Sequence, residues 1–501
     1  MPTDRPNVVC ILADDLGWRD LGSYGSSFYE TPNLDRLARD GTRFSNAYAS
    51  CPVCSPTRAS VMTGNYPARV GVTDWIDFWG ETHPARGKLV DAEYSDHLPH
   101  GETSLASALG EAGYASAHVG KWHLGGEKQD SLPTDHGFDE NVAGCEWGAP
   151  TGGGGYFRPW EIPTLADGDV PDAGEGGTDG YLPDHLGAAA VDLIESYAGD
   201  GGRGGDDPFF LNYDPYLVHT PLQAPEEAVE RYERKRETLG LDDEQEIEAG
   251  GRFPAEHKKE GRIKRRLVQS HPTYAAMIEA LDRNVGRVLD ALERTGQAEN
   301  TVVVFSSDNG GLSTAEGSPT CNRPLREGKG WMQEGGNRVP TIVRWPGVTD
   351  RPDAPEVVDT PVTSPDIYPT LLDAAGVDPP EGQAVDGESL RPLLQNDGAG
   401  ADSLKRDAVF WHYPHYGNQG CTPAAAVRQG DWKLIEFFET GDAELYHLGE
   451  DVREEHDLSE HRPAKVTELR ERLTDWQDDV GARFPQENPD YEPWPDRAGP
   501  G

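Results

Sequence analysis

The sequence predicts an α/β protein in which a large, mostly parallel β-sheet is sandwiched by helices and is followed by a small antiparallel sheet plus a helix. Short apolar, β-rich runs such as residues 7–13 (NVVCILA) and 301–305 (TVVVF) are typical of parallel strands buried on both faces. These runs alternate with helical patterns up to about residue 395, which favours a sheet covered by helices on both sides. Beyond that point the runs are short and lie between tight Gly/Asp turns, a pattern typical of an antiparallel sheet.

Two units are expected, because a chain of 501 residues is longer than one hydrophobic core usually supports. The change of pattern divides the chain into a large α/β domain, residues 1–395, and a small C-terminal α+β subdomain, residues 396–501. In the second unit we expect four short strands and an amphipathic helix, at residues 408–413, 424–429, 432–438, 444–447 and 463–480.

Three other segments predict helices. Residues 274–295 carry apolar side chains at helical spacing. Thr31 followed by Pro32 is typical of a capped helix start with proline in the first turn. Residues 226–266 are so rich in charge that we expect an exposed helical excursion rather than core.

The charge balance is strongly acidic. A net charge of −43 and an isoelectric point near 4.6 disfavour nucleic acid and anionic membranes as partners, since both repel such a surface. Lysine is scarce, with 11 Lys against 34 Arg, and the acidic residues are spread over the whole chain. A salt-adapted cytoplasm, in which counterions screen the repulsion, would explain this composition; an acidic enzyme of an ordinary host is the alternative.

No export or membrane segment is evident in the sequence. The first residues contain no basic stretch followed by an apolar one, and no run approaches about eighteen consecutive apolar residues. We therefore expect a cytoplasmic protein without membrane contact.

The cysteines are too few and too scattered to form a disulfide framework. They are Cys10, Cys51, Cys54, Cys145, Cys321 and Cys421. Cys51 and Cys54 form a Cys-x-x-Cys pair, but without a second ligand pair nearby a zinc site is not expected. A thioredoxin-like redox motif is the alternative for this pair.

Polar residues follow several of the predicted strands. Asp14 and Asp15 come directly after the strand at 7–13, and Asp308 and Asn309 follow the strand at 301–305. In open α/β sheets ligands bind at these strand ends, and carboxylate and amide oxygens suit a hard cation such as Ca²⁺ or Mg²⁺. A solvated Asp/Gly turn is the alternative for either pair taken alone.

Other candidate site residues also come directly after predicted strands. Lys121 and His123 follow a strand-like run at 114–119, and His219 follows another at 209–213. A lone Lys-x-His is more often structural. Residues 74–100 have no clear period and predict a long substrate-facing loop, which carries Trp75, Asp77, Trp79, His83 and Arg86.

Together these residues resemble a known family. Cys54-x-Pro56-x-Arg58 continuing to Thr63-Gly64 is similar to the sulfatase signature, and the blocks named above follow in that family's order. Over nearly the whole chain the sequence resembles the sulfatase family of the alkaline-phosphatase-like superfamily. The resemblance implies that residues 1–395 form the catalytic domain.

The resemblance also implies the chemistry of the site. Cys54 would be oxidised to formylglycine by a maturation enzyme, and its hydrated aldehyde would supply the nucleophile. Together with residue 54, four side chains would bind one divalent cation, Ca²⁺ as in most of the family, with Mg²⁺ as the alternative: Asp14, Asp15, Asp308 and Asn309. Arg58 would hold the hydrate, and Lys121 and Lys329 would bind the sulfate oxygens. His123 would assist breakdown of the sulfated intermediate, and His219 would protonate the leaving alcohol or contact the ester.

The implied substrate is a sulfate monoester. The aromatic and charged residues of 74–100, and Trp331, favour a carbohydrate sulfate, because such side chains stack on and hydrogen-bond to a sugar. Three alternatives stay open: an arylsulfatase acting on small phenolic esters, a phosphomonoester or phosphonate hydrolase on the same scaffold, and a binding protein whose cysteine is not matured.

Overall fold

The computed structural model describes residues 5–77, 87–165, 170–198, 207–395 and 404–491. The strands are β1 (Asn7–Ala13), β2 (Thr42–Phe44), β3 (Ala47–Tyr48), β4 (Leu89–Val90), β5 (Ala115–Gly120), β6 (Glu140–Val142), β7 (Phe209–Asp214), β8 (Ile247–Arg252), β9 (Arg262–Arg266), β10 (Thr301–Ser307), β11 (Thr341–Arg344), β12 (Val357–Val358), β13 (Val362–Thr363), β14 (Ala408–Tyr413), β15 (Ala424–Gln429), β16 (Trp432–Phe437), β17 (Ala443–His447) and β18 (Gln486–Glu487). The α-helices are α1 (Pro32–Asp40), α2 (Cys54–Thr63), α3 (Pro67–Val70), α4 (Leu105–Glu111), α5 (Leu182–Ala198), α6 (Glu226–Thr238), α7 (Pro272–Arg294), α8 (Glu334–Asn337), α9 (Ile367–Ala375), α10 (Arg391–Gln395) and α11 (Pro463–Val480).

Eight strands form the central sheet, in the order β12-β2-β11-β10-β1-β7-β5-β6. Within these described strands only β11 runs antiparallel to its neighbours. β1 lies between β10 and β7 and pairs in parallel with both. The predicted large, mostly parallel sheet is therefore confirmed.

Helices cover both faces of this sheet. Successive residues of β1 point to opposite faces, so that Val9 and Ile11 join one hydrophobic cluster and Val8 and Cys10 join another. The first cluster is completed by α1, α5, α6 and α7, and the second by α2, α4, α9 and α10. Because both faces of the strands are buried, their sequences are continuous apolar runs.

The C-terminal part forms the predicted small antiparallel sheet, in the order β14-β15-β16-β17. One face of this sheet packs on α11 through Leu469 and Leu473. The other face joins a hydrophobic cluster with Tyr48, Val53 and Trp331 of the larger part. The division of the chain at residues 395 and 396 stays a prediction, because residues 396–403 lie outside the described ranges.

The segment 226–266 differs from the expectation of a purely helical excursion. Its first part is the helix α6, but the rest is the hairpin of β8 and β9. The hairpin forms because apolar side chains anchor it: Phe253 and Ile263 are buried in the same cluster as Trp331. Charge alone was a misleading signal here, since two apolar residues decide where the segment packs.

Within the described ranges, none of the helices has the length and apolar character that crossing a membrane requires.

Candidate active site

Four neighbouring parallel strands end at one edge of the central sheet. β5, β7, β1 and β10 are adjacent, so the residues that follow them are brought together. These strand ends supply the buried side chains of Asp14, Asp15, Lys121, His123, Asp214, Asp308 and Asn309. Gly120 allows the end of β5 to lie close to the end of β7. Its φ is +109°, and a Cβ at this position would lie 2.0 Å from the carbonyl oxygen of Asp214.

Cys54 is the first residue of α2, and the whole helix is buried. Because one turn of helix spans 3.6 residues, Arg58 lies one turn further on the same side. Gly64 ends the helix with a φ of +74°, and its N–H donates to the carbonyl of Ser60. The small residues of the signature therefore let a buried helix present its N-terminus to the strand ends.

Three ion pairs hold the centre of the site. The Lys121 ammonium lies 2.9 Å and 2.8 Å from the two carboxylate oxygens of Asp14. The Lys329 ammonium lies 2.8 Å from the Asp15 carboxylate. Arg58 donates from Nε and Nη2 to Oδ2 of Asp308, at 3.0 Å and 2.8 Å. Three buried carboxylates are thus balanced by three buried cations, as burial of charge requires.

Asp214 is a site residue that the sequence reasoning missed. It ends β7, and its Oδ2 lies 3.2 Å from Nη1 of Arg58. Burial raises the pKa of Asp214 to about 7, although Arg58 opposes the shift. An acid closing an apolar strand was the available signal, the same signal that identified Asp14.

His123 lies beside Cys54 in a defined tautomer. Its Nε2–H donates to the carbonyl of Ile76 at 2.9 Å, which leaves Nδ1 as an acceptor 3.3 Å from Sγ of Cys54. Burial, with Lys121 acting in the same direction, lowers the pKa of His123 well below its usual value. Burial also raises the pKa of the Cys54 thiol. The pair is therefore a neutral imidazole next to a protonated thiol.

His219 faces the same centre from the loop after β7. Its Nδ1–H donates to the carbonyl of Thr220 at 2.7 Å, and its Nε2 lies 3.6 Å from Oδ2 of Asp15. Its side chain is 16% exposed, whereas that of Asp15 beside it is 2% exposed. This position makes Nε2 of His219 reachable by a ligand.

The donor set fits a hard cation. Asp14, Asp15 and His219 each offer a ligand atom, and these atoms lie within 4.8 Å of one another. The Oδ1 atom of Asn309 is buried and has no hydrogen-bond partner among the described residues. Burial raises the pKa of Asp14 to about 6, whereas Lys329 and His219 overcome the effect of burial and lower that of Asp15. An orphaned amide oxygen beside clustered carboxylates suits an oxygen-binding ion.

A cavity of about 260 Å³ opens over this centre. Cys54, His123, His219 and Lys329 all line it. The cavity lining also includes Trp75, Asp77, Glu146, Trp147, Glu316, Asn418 and Gln419. Of the predicted site residues, Cys54, His123, His219 and Lys329 line the cavity. The others are joined to Lys329 through Asp15 and the ion pairs and hydrogen bonds around it. The individual roles of these residues stay predictions.

The aromatic residues expected to meet a sugar are only partly placed as predicted. Trp75 lines the cavity, but Trp79, His83 and Arg86 lie outside the described residues. The prediction for Trp331 is wrong: it packs on Phe253 in a hydrophobic cluster, and its Nε1–H donates to Thr314. Trp147, which was not predicted, lines the cavity.

Comparison with known proteins supports the resemblance to the sulfatase family along most of the chain. The sequence model of the family described as Sulfatase matches residues 6–377, and one described as N-sulphoglucosamine sulphohydrolase, C-terminal, matches residues 328–479. A protein named Sulfatase from Formosa agariphila is 31% identical over 520 residues, covering 92% of this chain and 86% of that protein. Human N-acetylgalactosamine-6-sulfatase is 32% identical over 400 residues, covering 78% of this chain and 66% of the human protein.

The fold agrees with these sequence matches. Ps i-CgsB, solved in complex with k-i-k-neocarrahexaose, superposes with a TM-score of 0.71 at 28% identity, covering 97% of this chain and 94% of that structure. The matched ranges include the signature at Cys54 and the strand ends that surround it. The chain therefore belongs to the sulfatase family, a family of sulfuric ester hydrolases within the alkaline-phosphatase-like superfamily.

Proposed function

We propose that the protein hydrolyses a sulfate monoester on a carbohydrate, releasing an alcohol and inorganic sulfate, with residue 54 as the nucleophile. The observation that carries this proposal is the position of Cys54, at the N-terminus of α2 and 3.3 Å from the acceptor nitrogen of a neutral His123. The cavity above it is lined by two tryptophans, which suit the apolar face of a sugar. One relative is named for a sulfated amino sugar, and another was solved with k-i-k-neocarrahexaose.

The thiol itself is a poor nucleophile in this environment. Burial raises the pKa of Cys54, so the thiolate is scarce at neutral pH. We therefore propose that a maturation enzyme converts Cys54 to formylglycine. The hydrated aldehyde supplies a hydroxyl oxygen to attack sulfur and a second hydroxyl whose deprotonation expels sulfate.

A divalent cation, Ca²⁺ or Mg²⁺, is the proposed cofactor. Asp14, Asp15 and Asn309 would hold it, and Asp308 is next to them because it accepts a hydrogen bond from the backbone N–H of Asp15. The cation would neutralise the charge of sulfate and leave the two lysine ammonium groups available for the sulfate oxygens.

Other side chains of the protein would stabilise the developing negative charge and transfer protons. Lys121 and Lys329 bring two positive charges to the point where negative charge develops on the sulfate. Nδ1 of His123 accepts a proton from the hydroxyl at position 54, since its other nitrogen is occupied by Ile76. Nε2 of His219 exchanges a proton with the leaving oxygen. Arg58, held by Asp308 and Asp214, adds a third fixed positive charge below Cys54.

Turnover of matched aryl esters tests the reaction class. The matured protein should hydrolyse 4-nitrophenyl sulfate much faster than 4-nitrophenyl phosphate. A strong preference for phosphate would instead identify a phosphomonoester hydrolase. Peptide mass spectrometry of the segment containing Cys54 tests the nucleophile: maturation replaces sulfur by oxygen and removes two hydrogens, and an unmodified cysteine in active protein would refute the formylglycine proposal.

A further inference from the structure

Lys329 lies in a short segment of the connection between β10 and α8, residues 327–330, here called the lysine loop. Lys329 lines the active-site cavity, and its ammonium lies 2.8 Å from the Asp15 carboxylate. Glu327 comes two residues earlier, and its side chain is 2% exposed. The position of the Lys329 ammonium therefore depends on the contacts that hold this loop.

Main-chain contacts hold the later part of the lysine loop. The N–H of Lys329 donates to the carbonyl of Gly311 at 3.2 Å. The N–H of Gly330 donates to the carbonyl of Pro52 at 2.8 Å, and Pro52 comes two residues before Cys54. This part of the loop is thus tied to the residues after β10 and to the segment that carries Cys54.

A side chain of the β8–β9 hairpin holds the start of the loop. Arg265 on β9 donates from both Nε and Nη2 to the Glu327 carboxylate, and the distance from Nε to Oε2 is 2.9 Å. Two such bonds between planar groups fix the direction of the carboxylate as well as its distance. Arg326 lies 3.7 Å from Glu327 but donates to Tyr446 and Glu454 instead. Among the described residues, Arg265 therefore supplies the hydrogen bonds of the Glu327 carboxylate.

Glu327 has a positive φ, of 59°. This backbone conformation is unfavourable for residues other than glycine and persists only where several contacts hold it. The carbonyl of Glu327 accepts from Oγ of Ser313 at 2.7 Å and from Nδ2 of Asn322 at 3.0 Å. Both partners belong to the connection between β10 and α8, whereas Arg265 lies outside it. The hairpin therefore anchors this connection to another part of the protein.

The ion pair lies away from the cavity over Cys54. Arg265 and Glu327 line a second cavity, of about 390 Å³, and neither of them lines the first. An effect of Arg265 on a bound sulfate must therefore pass through the lysine loop to Lys329.

We propose that Arg265 is a positioning residue, whose ion pair with Glu327 holds the lysine loop so that the Lys329 ammonium meets the sulfate. This inference rests on the proposed function, in which Lys329 binds the sulfate oxygens. A charged group stabilises the reacting ester only if it is already fixed in place, and small displacements weaken binding and turnover. The hairpin is then part of the support of the active site.

Inhibition by inorganic sulfate tests the position of Lys329. Sulfate is the product, so it should compete with 4-nitrophenyl sulfate for the same groups. Arg265→Ala should raise the inhibition constant Ki of sulfate and the KM of the ester by roughly tenfold or more. Arg265→Lys keeps the charge but not the paired N–H groups and should raise both constants less. Only active molecules contribute to Ki and KM, so neither depends on how much of a variant is folded or matured.

A double variant separates positioning from stability. Arg265→Ala leaves the Glu327 carboxylate buried without its hydrogen bonds, so urea unfolding should detect a loss of stability. Combining Arg265→Ala with Glu327→Gln removes the unpaired charge, and stability should recover in part. The Ki of sulfate should nevertheless stay as high as in Arg265→Ala, because the lysine loop still lacks its contact with the hairpin.

Arg262→Ala is the matched control. Arg262 lies on the same strand, is exposed, and donates to the carbonyl of Gly250 at 3.3 Å rather than to a carboxylate. The Ki of this variant should equal that of the wild type, and a rise as large as that in Arg265→Ala contradicts the inference.

The remaining outcomes separate this inference from the proposed function. A wild-type Ki in Arg265→Ala overturns the inference. A double variant whose Ki returns to the wild-type value together with stability also overturns it, because the ion pair then acts on stability alone. In both cases the sulfatase assignment stands. Failure of the wild type to hydrolyse 4-nitrophenyl sulfate, with residue 54 shown to be matured, refutes the proposed function and this inference with it.

Discussion

Two residues at the centre of the site have a positive φ, a backbone conformation that residues other than glycine rarely adopt. Asp15 has a φ of 60° and His123 a φ of 56°, at a cost of about 1–3 kcal/mol each. Both are held by hydrogen bonds from their own N–H groups, Asp15 to Asp308 and His123 to Cys145. This strain lies where the cation and the nucleophile are proposed to meet, as is common at functional sites.

Replacing Cys54 by alanine tests the nucleophile. Cys54→Ala should abolish turnover of 4-nitrophenyl sulfate, since no oxygen can then be generated at that position. The free energy of unfolding should change little, because the substitution removes the single atom Sγ, whose hydrogen-bond partner among the described residues is Nδ1 of His123 at 3.3 Å. Steady-state rates and urea unfolding provide the two measurements, and a rate retained by the variant contradicts the assignment.

Replacing Asp308 should destabilise the protein. Asp308→Ala leaves Arg58, which is 1% exposed, with Asp214 as its remaining carboxylate partner. Removing one member of a buried ion pair costs about 3–5 kcal/mol, which urea unfolding would detect. Bound Ca²⁺ or Mg²⁺, measured by elemental analysis, should also fall.

A surface pair provides the control for that measurement. Asp290 pairs with Arg36 and is 54% exposed, so Asp290→Ala should cost only about 0–1 kcal/mol. Equal losses in the two variants would mean that Arg58 does not depend on Asp308.

At the scale of elements, the start of α1 depends on a distant helix. The sequence predicts a cap at Thr31, but within the described residues Thr31 makes no side-chain capping bond. The carboxylate of Asp282, on α7, accepts from the N–H groups of Asn33 and Leu34 instead, at 2.8–3.2 Å. The helix begins where predicted, with Pro32 in its first turn, but its cap is a tertiary contact.

Removing this cap should weaken the packing of α1 on α7. Asp282→Ala should lower the free energy of unfolding by about 1–2 kcal/mol, the usual value of a helix cap. Urea unfolding measures the loss, and Asp290→Ala, also on α7, serves as the control. If the two variants have the same stability, the N–H groups of α1 do not rely on Asp282.

A buried charge cluster joins the small sheet to the catalytic part. Lys433 on β16 lies 2.9 Å from Glu334 at the start of α8 and 3.0 Å from Glu454 in the turn after β17. Burial, together with the charge of Glu334, raises the pKa of Glu454 to about 7, although Lys433 opposes the shift. Two carboxylates thus share one ammonium group close to the segment that carries Lys329.

The pH dependence of stability should report this cluster. Between pH 4.5 and 7 the folded state keeps a proton on Glu454 that the unfolded chain releases, so this group makes the free energy of unfolding fall as pH rises. Glu454→Gln does not titrate, and its free energy of unfolding should therefore fall less steeply over that window. Urea unfolding at both ends of the window measures the difference. Parallel pH profiles for the wild type and the variant would contradict it, and Glu471→Gln, at an exposed position of α11, is the control.

At the scale of the whole molecule, the net charge of −43 should make stability depend on salt. Raising KCl to about 1 M shortens the Debye length to about 3 Å and screens the mutual repulsion of the acidic surface. The melting temperature should rise and activity should persist, as expected for the salt-adapted cytoplasm that we propose. A neutral osmolyte such as sucrose is the control for non-electrostatic stabilisation, and loss of activity in high salt would contradict the proposal.

The sequence by itself determined the fold class, because buried parallel strands leave continuous apolar runs and their ends leave polar pairs. The set of candidate site residues, from Asp14 and Cys54 to Lys329, follows from the resemblance to the sulfatase family, and their individual roles stay predictions. Local patterns of this kind need no knowledge of distant contacts.

Tertiary structure decided the pairings. Only the sheet order brings Arg58 to Asp308 and Asp214, and only the packing of the hairpin on Trp331 removes that tryptophan from the cavity. The cap of α1 by Asp282 and the lining of the cavity likewise join segments far apart in the chain. Such contacts follow from the three-dimensional packing of the whole chain, which no local pattern encodes.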